Sequence, residues 1–301
     1  MGTVGSASGN GSTGGRRRPH TLASLAKMAD RGEPFACLTC YDASTARLLE
    51  AAGVHVLLVG DTAAEVILGL DRTIEMPLDV LIALTAAVKR GAPSVVVMGD
   101  MPFMSYQASA DEAVRNAGRF LVEGKADIVK LEVDASFAPL VARLAAAGVP
   151  VCAHVGSKPQ HVKRTSGYKA EGRTPAAAAR VLADARALGD AGAAMLLVEA
   201  VPSEVADELV ASAGVPVIGI GAGTACHGQV VVLHDVMGLL DHSPGLAQPV
   251  ANLGPQIREA AMEWVRRVAE RSFGGKEFSM QRPAAGGGGG GDGEPAATHP
   301  G

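Results

Sequence analysis

Val54-His55-Val56-Leu57-Leu58-Val59-Gly60-Asp61 is an apolar run of strand length that stops on a glycine and a carboxylate, just after a helical pattern over residues 46–52 that Gly53 ends. The same succession recurs along the chain. Residues 94–98 run out at Asp100, residues 128–131 contain Lys130 and run out at Glu132, residues 151–153 at His154, and residues 195–198 at Glu199. When buried parallel strands close into a barrel their carboxyl ends share one face, so polar groups placed there converge on its mouth. The expected fold is therefore α/β, a (β/α)8 TIM barrel forming a single domain, with its site at that face.

Working outward, the apolar runs number eight: residues 35–40, 54–59, 94–98, 128–131, 151–153, 195–198, 217–220 and 230–233, the last closed by His234-Asp235. Between them lie helical segments with recognisable ends. Ser109 and Glu112 have capping-box spacing, residues 136–147 end at Gly148, and Thr174 precedes Pro175 at a first helical position. A long polar loop spans residues 155–173 and a late helix residues 255–271. The rival fold, an open doubly wound sheet, carries its glycine-rich turn after the first strand, whereas Gly219-Ile220-Gly221-Ala222-Gly223 follows the seventh. That turn reads either as a phosphate loop or as a tight turn.

Hydrophobic residues make up 48% of the 301-residue chain and aromatics 3%, which implies an aliphatic core. The 27 basic and 31 acidic residues are well mixed, so no basic field exists to hold a nucleic acid or an anionic membrane. Small molecules are the expected partners and the cytoplasm the expected location. Cys37 and Cys40, three apart on an expected strand, face opposite sides and do not bridge. Residues 1–19 and 281–301 are Gly-rich and lack a periodic apolar pattern, so they are expected to be disordered tails flanking a domain over residues 20–280.

Asp61, Asp100 and Glu132 supply oxygen donors from consecutive strands, a set that suits Mg2+. Lys130, two residues before Glu132, shares its face and either binds a substrate carboxylate or forms a structural ion pair. Glu199, across the barrel, suits a general base raised by desolvation, or a helix cap. His154 orients a substrate, relays a proton or is structural.

The ordered motifs Thr39-Cys40-Tyr41-Asp42, Val59-Gly60-Asp61-Thr62, Asp100-Met101-Pro102-Phe103-Met104, Val129-Lys130-Leu131-Glu132, Gly167-Tyr168-Lys169 and Val198-Glu199-Ala200-Val201-Pro202 closely resemble ketopantoate hydroxymethyltransferases. The resemblance runs from about Thr21 to Met280. It implies a TIM barrel that uses Mg2+ to transfer a one-carbon unit from 5,10-methylenetetrahydrofolate to 3-methyl-2-oxobutanoate, giving 2-dehydropantoate for pantothenate and coenzyme A synthesis. It also implies a homo-decamer, a pentamer of dimers. The family's metal positions fall on Asp61, Asp100 and Glu132, its 2-oxo-acid contacts on Asp61, Thr62, Asp100 and Lys130, and its proton acceptor on Glu199.

Three departures bear on specificity, one of them the stretch Asp71-Arg72-Thr73-Ile74-Glu75-Met76-Pro77 in place of the family's usual Asp-Ser/Thr-Thr-Leu-Pro. Thr62 stands where the family usually has Ser, and Ser157-Lys158 stands where it has Leu-Thr, which is expected to add a cation near the mouth. The rival functions are a Mg2+-dependent 2-oxo-acid lyase of the phosphoenolpyruvate mutase and isocitrate lyase type, and a catalytically silent assembly protein. The first commonly carries a lid cysteine, which residues 155–173 lack. The second would not need Asp61, Asp100, Lys130, Glu132 and Glu199 together.

Overall fold

The computed structural model describes residues 18–240, 245–246, 248–276 and 278–279. Apart from Arg18 and Pro19, which lie outside regular structure, the expected N-terminal tail falls outside these residues, as does the expected C-terminal one.

All eight expected strands are present: β1 Phe35–Thr39, β2 Val56–Val59, β3 Val96–Asp100, β4 Ile128–Glu132, β5 Val151–Gly156, β6 Met195–Glu199, β7 Val217–Ile220 and β8 Gly228–Val231. Each pairs in parallel with its sequence neighbours and β8 returns to β1, which closes the barrel. The helices in chain order are α1 Leu22–Asp30, α2 Ala43–Ala52, α3 Ala63–Val66, α4 Leu78–Gly91, α5 Ala110–Val122, α6 Ala138–Ala146, α7 Val162–Thr165, α8 Pro175–Asp190, α9 Ser203–Ser212, α10 Leu233–Val236 and α11 Leu253–Ala269.

Strand periodicity divides the apolar residues into two clusters. Cys37, Val56, Leu58, Val96, Met98, Ile128, Cys152, Met195, Leu197 and Ile218 fill the barrel, with Leu25 of α1 against them. Leu57, Val97, Val129, Leu131, Ala153, Leu196 and Val198 pack instead with residues of the surrounding helices, such as Leu81, Phe120, Leu144 and Leu188. Cys37 belongs to the first cluster and Cys40 to the second, as alternation requires, and all four cysteines are free and buried. Because strand residues two apart share a face, Asp100 continues the inward row of Val96 and Met98, and Lys130 and Glu132 that of Ile128. His154 likewise continues the row of Cys152, and Glu199 that of Met195 and Leu197.

Several local expectations need correction. The eighth strand starts at Gly228 and ends at Val231, so His234-Asp235 lies in α10 rather than closing the strand. The Phe35 ring occupies the space a side chain at Gly228 would need, which is why a glycine leads this strand. Residues 155–173 are not one loop: β5 continues to Gly156, and a 3-10 turn over Pro159–His161 runs into α7. The helix expected from Ser136 begins as a 3-10 turn, Ala135–Phe137, capped by Asp134. The Ser109 hydroxyl accepts from the Glu112 amide as expected, but the reciprocal capping box occurs at Thr21 and Ser24. In the 219–223 turn Gly221 and Gly223 take left-handed φ values of 58° and 79°, and a Cβ on Gly223 would press on Ser203 at 2.8 Å. The tight-turn reading accounts for these glycines. No helix among the described residues is long and apolar enough to cross a membrane.

Candidate active site

The carboxyl ends of β2 to β6 bring Asp61, Asp100, Lys130, Glu132, His154 and Glu199 around a cavity of about 60 Å3, which Thr39, Gly60, Thr62 and Leu197 also line. The expected residues therefore meet in one place. Asp61, Asp100, Lys130, Glu132 and His154 are each at most 4% exposed, and Glu199 is the most open of the group.

Lys130 on β4 donates to Asp100 Oδ1 at 2.7 Å and lies 3.9 Å from Glu132 Oε1. Asp100 Oδ2 accepts from the Asp61 amide at 3.1 Å, which ties the start of the turn after β2 to the end of β3. Gln160, from the 3-10 turn after β5, donates its side-chain amide to Asp61 Oδ2 at 3.0 Å and its backbone amide to Glu132 Oε2 at 2.8 Å. Asp61 Oδ1 and Glu132 Oε1 are left without a hydrogen-bond donor among the described residues. Thr62 shares a 2.6 Å hydrogen bond with the Tyr41 hydroxyl.

Burial dominates the titration behaviour. Desolvation first, then the neighbouring Asp100, hold the Asp61 carboxyl above the usual range, and burial does the same to Glu132 despite Lys130. Burial raises Glu199 to about 7, with Lys130 opposing the shift and Asp61 and Asp100 adding to it. For Lys130 burial alone lowers the pKa, but Asp100, Glu132 and Asp61 outweigh it and keep the ammonium charged. His154 is driven well down by burial and by Lys130, so its ring is neutral. It sits 3.8 Å from Glu132 Oε1 and 3.6 Å from Glu199 Oε2, and neither ring nitrogen makes a hydrogen bond.

The donors suit a hard divalent cation. Three buried carboxylates face one ammonium, an excess of negative charge that a cation offsets. Among the described residues no three His, Cys, Asp or Glu side chains stand close enough to cage an ion by themselves. Mg2+ does not need such a cage, because it keeps waters or substrate oxygens among its ligands and takes few carboxylates.

These shifts have a measurable consequence. A carboxyl raised on folding favours the protonated state, so the stability present below its unfolded pKa is lost as pH rises towards its folded pKa. The metal-free protein is expected to lose Tm between about pH 4.5 and 7, and a shift of Glu199 from 4.5 to about 7 alone amounts to about 3 kcal/mol. Mg2+ is expected to raise Tm strongly at pH 8 and little at pH 5, which differential scanning fluorimetry measures.

Lys158 lies near the mouth, as expected, and its charge helps to lower the His154 pKa, but it does not line the central cavity. Its ammonium lies 3.7 Å from Asp134 Oδ2 and 3.4 Å from the Val133 carbonyl, and this pairing turns it into a separate cavity of about 330 Å3 that it lines with Arg164 and Arg180. Tyr41, Tyr106 and Gln160 were not singled out by sequence reading, although Tyr41 lies in a stretch that marks the resemblance.

A family model described as ketopantoate hydroxymethyltransferase matches residues 19–276. The chain belongs to this family. Among ketopantoate hydroxymethyltransferases, the 3-methyl-2-oxobutanoate hydroxymethyltransferase of Carboxydothermus hydrogenoformans is 43% identical over 86% of this chain and 95% of its own length. That of Syntrophus aciditrophicus is 40% identical over 89% and 99%, and that of Pyrobaculum aerophilum 43% identical over 81% and 93%. Solved structures outside this family share the fold. A phosphonopyruvate hydrolase complexed with oxalate and Mg2+ superposes with a TM-score of 0.56 at 14% identity, covering 83% of this chain and 88% of its own. A 2,3-dimethylmalate lyase of the phosphoenolpyruvate mutase and isocitrate lyase superfamily does so at 0.54 and 19%, covering 86% and 91%. At these identities the likeness concerns the barrel alone.

Proposed function

We propose that the chain transfers a hydroxymethyl group from 5,10-methylenetetrahydrofolate to 3-methyl-2-oxobutanoate, giving 2-dehydropantoate in pantothenate biosynthesis. The observation that carries this reading is the meeting of Asp61, Asp100, Lys130, Glu132 and Glu199 on one cavity in a chain of this family.

Asp61, Asp100 and Glu132 are the residues that would hold Mg2+, with the undonated oxygens of Asp61 and Glu132 available to it. When bound, the cation supplies Lewis-acid stabilisation of charge developing on the 2-oxo acid. Lys130 and Thr62 hold the substrate carboxylate, with the Tyr41 hydroxyl fixing the Thr62 rotamer through their 2.6 Å bond. Glu199 removes the C3 proton. A carboxylate raised to about 7 is a stronger base than an ordinary one yet still ionises near neutrality. The resulting carbanion attacks the methylene carbon of the folate as the bond from that carbon to one folate nitrogen breaks. Water then displaces the second nitrogen, leaving the hydroxymethyl group on C3 and releasing tetrahydrofolate, whose two nitrogens take up the C3 proton and one proton of the water. His154 stands 3.6 Å from Glu199 as a neutral ring, so it adds no positive charge that would lower the pKa of the base.

The base must be ionised to act, so kcat/KM is expected to rise with pH along an acid limb set by Glu199, which burial holds above the ordinary carboxylate range, and then level. A flat profile from pH 5 to 8 would remove a group of this pKa from the rate law. The reading is tested by NMR of 3-methyl-2-oxobutanoate in D2O with enzyme and Mg2+ but no folate. Loss of the C3 proton signal supports it. Exchange confined to 2-oxo acids of another skeleton would favour the lyase alternative.

The same reading makes the enzyme a cytoplasmic homo-decamer acting on small molecules, without nucleic-acid or membrane partners. In α11, Ile257, Ala261, Trp264 and Val268 fall on one helical stripe, a pattern suited to a subunit contact, while Glu263 pairs with Arg266 and Arg267 elsewhere on its surface. Light scattering is expected to give ten protomer masses of 30.5 kDa. A monomer would contradict the decamer.

A further inference from the structure

Gln160 is 2% exposed, and all its hydrogen-bonding groups on the side chain are used. Its two amide protons go to Asp61 Oδ2 and to the Met101 carbonyl, both at 3.0 Å. Its Oε1 lies 2.8 Å from the Tyr106 hydroxyl, whose single proton is shared between it and the Glu132 carbonyl at 3.0 Å, and that hydroxyl accepts from the Glu132 amide at 3.2 Å. An inverted amide would set Oε1 against a carboxylate and a carbonyl, so the orientation is determined by chemistry. The Gln160 backbone amide meanwhile donates to Glu132 Oε2 at 2.8 Å. One residue of the 3-10 turn thus grips carboxylates from the ends of two strands, β2 and β4, that are not neighbours in the barrel.

We infer that Gln160, braced by Tyr106, is the positioning residue of the cation site: it engages Oδ2 of Asp61 and Oε2 of Glu132 so that the opposite oxygen of each is presented to a divalent cation. The inference rests on the reading that these carboxylates hold Mg2+. Its physical basis is the role of outer hydrogen bonds at metal sites, which fix the rotamers of ligands and so set affinity. It also links the cation to the polypeptide after β5. Gln160 keeps its grip only while Pro159–His161 stays folded, so the order of this turn and the affinity for the cation rise and fall together.

The test uses the full-length protein with Mg2+ or Mn2+ alone. Gln160→Met keeps the length of the side chain and removes both amide protons and the acceptor. Calorimetry is expected to show Mg2+ binding weakened about 10- to 100-fold. The Mn2+ electron paramagnetic resonance spectrum of the loaded variant is expected to change its zero-field splitting, which a loss of fold stability alone does not produce. Hydrogen exchange over residues 157–165 is expected to slow on Mg2+ addition in the parent and to slow less in the variant. Should Gln160→Met fail to fold, Tyr106→Phe, which removes the brace on Gln160 together with the hydroxyl's contacts to the Glu132 backbone, is expected to weaken Mg2+ about threefold or more with the same spectral change. A folded variant whose Mg2+ affinity stays within twofold of the parent, with an unchanged Mn2+ spectrum, overturns the inference while leaving the cation site standing. A parent that binds neither ion overturns the site and the inference together.

Discussion

Glu199→Gln is expected to lower kcat by about 10^2- to 10^4-fold, the usual contribution of a positioned general base, and to abolish C3 proton exchange. Binding of the 2-oxo acid in the presence of Mg2+ is expected to survive, because the carboxylates and Lys130 remain. The variant is also expected to be more stable than the parent at pH 8 and no more stable at pH 5. The reason is the cost of holding a buried carboxylate ionised when its pKa has been raised from 4.5 to about 7, a cost the amide does not carry. A Tm gain at pH 8 together with lost exchange identifies a group kept for chemistry at the expense of stability. Retained exchange would take Glu199 out of the base role.

Lys130→Met is the second large effect. The Lys130 ammonium sits 2.7 Å from Asp100 Oδ1 and 3.9 Å from Glu132 Oε1, with both partners buried. Removing it leaves several carboxylates without their cation, and breaking a buried pair in this way costs about 3–5 kcal/mol. The loss is expected to be largest at pH 8 and smaller at pH 5, where protonation relieves the repulsion, and Mg2+ is expected to recover part of it. The acid limb of kcat/KM is expected to move upward as well, since Lys130 opposes the rise in the Glu199 pKa. Urea denaturation at the two pH values measures the first effect, and a pH–rate profile the second. Equal destabilisation at both pH values would mean that the lysine acts through packing rather than charge.

The barrel was legible because its signal is local and repeated. Each strand is an apolar run long enough to be seen alone, and alternation carries the last inward row onto Asp100, Lys130, Glu132, His154 and Glu199 without any tertiary information. The eighth strand was displaced because its first residues, Gly228 and Gln229, are weak strand formers, held in place by pairing with Phe35 and Ala36 of β1. Gln160 and Tyr106 were not legible as parts of the site. Both lie in irregular segments, where no periodicity says which way a side chain points, and their partners are 99 residues away for the Gln160–Asp61 bond and 54 for the Tyr106–Gln160 bond. The partner of Lys158 was not legible for the same reason, since its direction is set by Asp134, a residue in the turn after another strand. Residues of the barrel wall can therefore be assigned from alternation, while those that hold them in position need the fold.

The most direct measurement of the central claim is product formation from 3-methyl-2-oxobutanoate and 5,10-methylenetetrahydrofolate, followed by mass spectrometry with Mg2+ and again with excess EDTA. The expected result is 2-dehydropantoate appearing with Mg2+, abolished by EDTA and restored when Mg2+ is added back. Turnover unaffected by EDTA, or no 2-dehydropantoate from a folded, Mg2+-loaded enzyme, would contradict it.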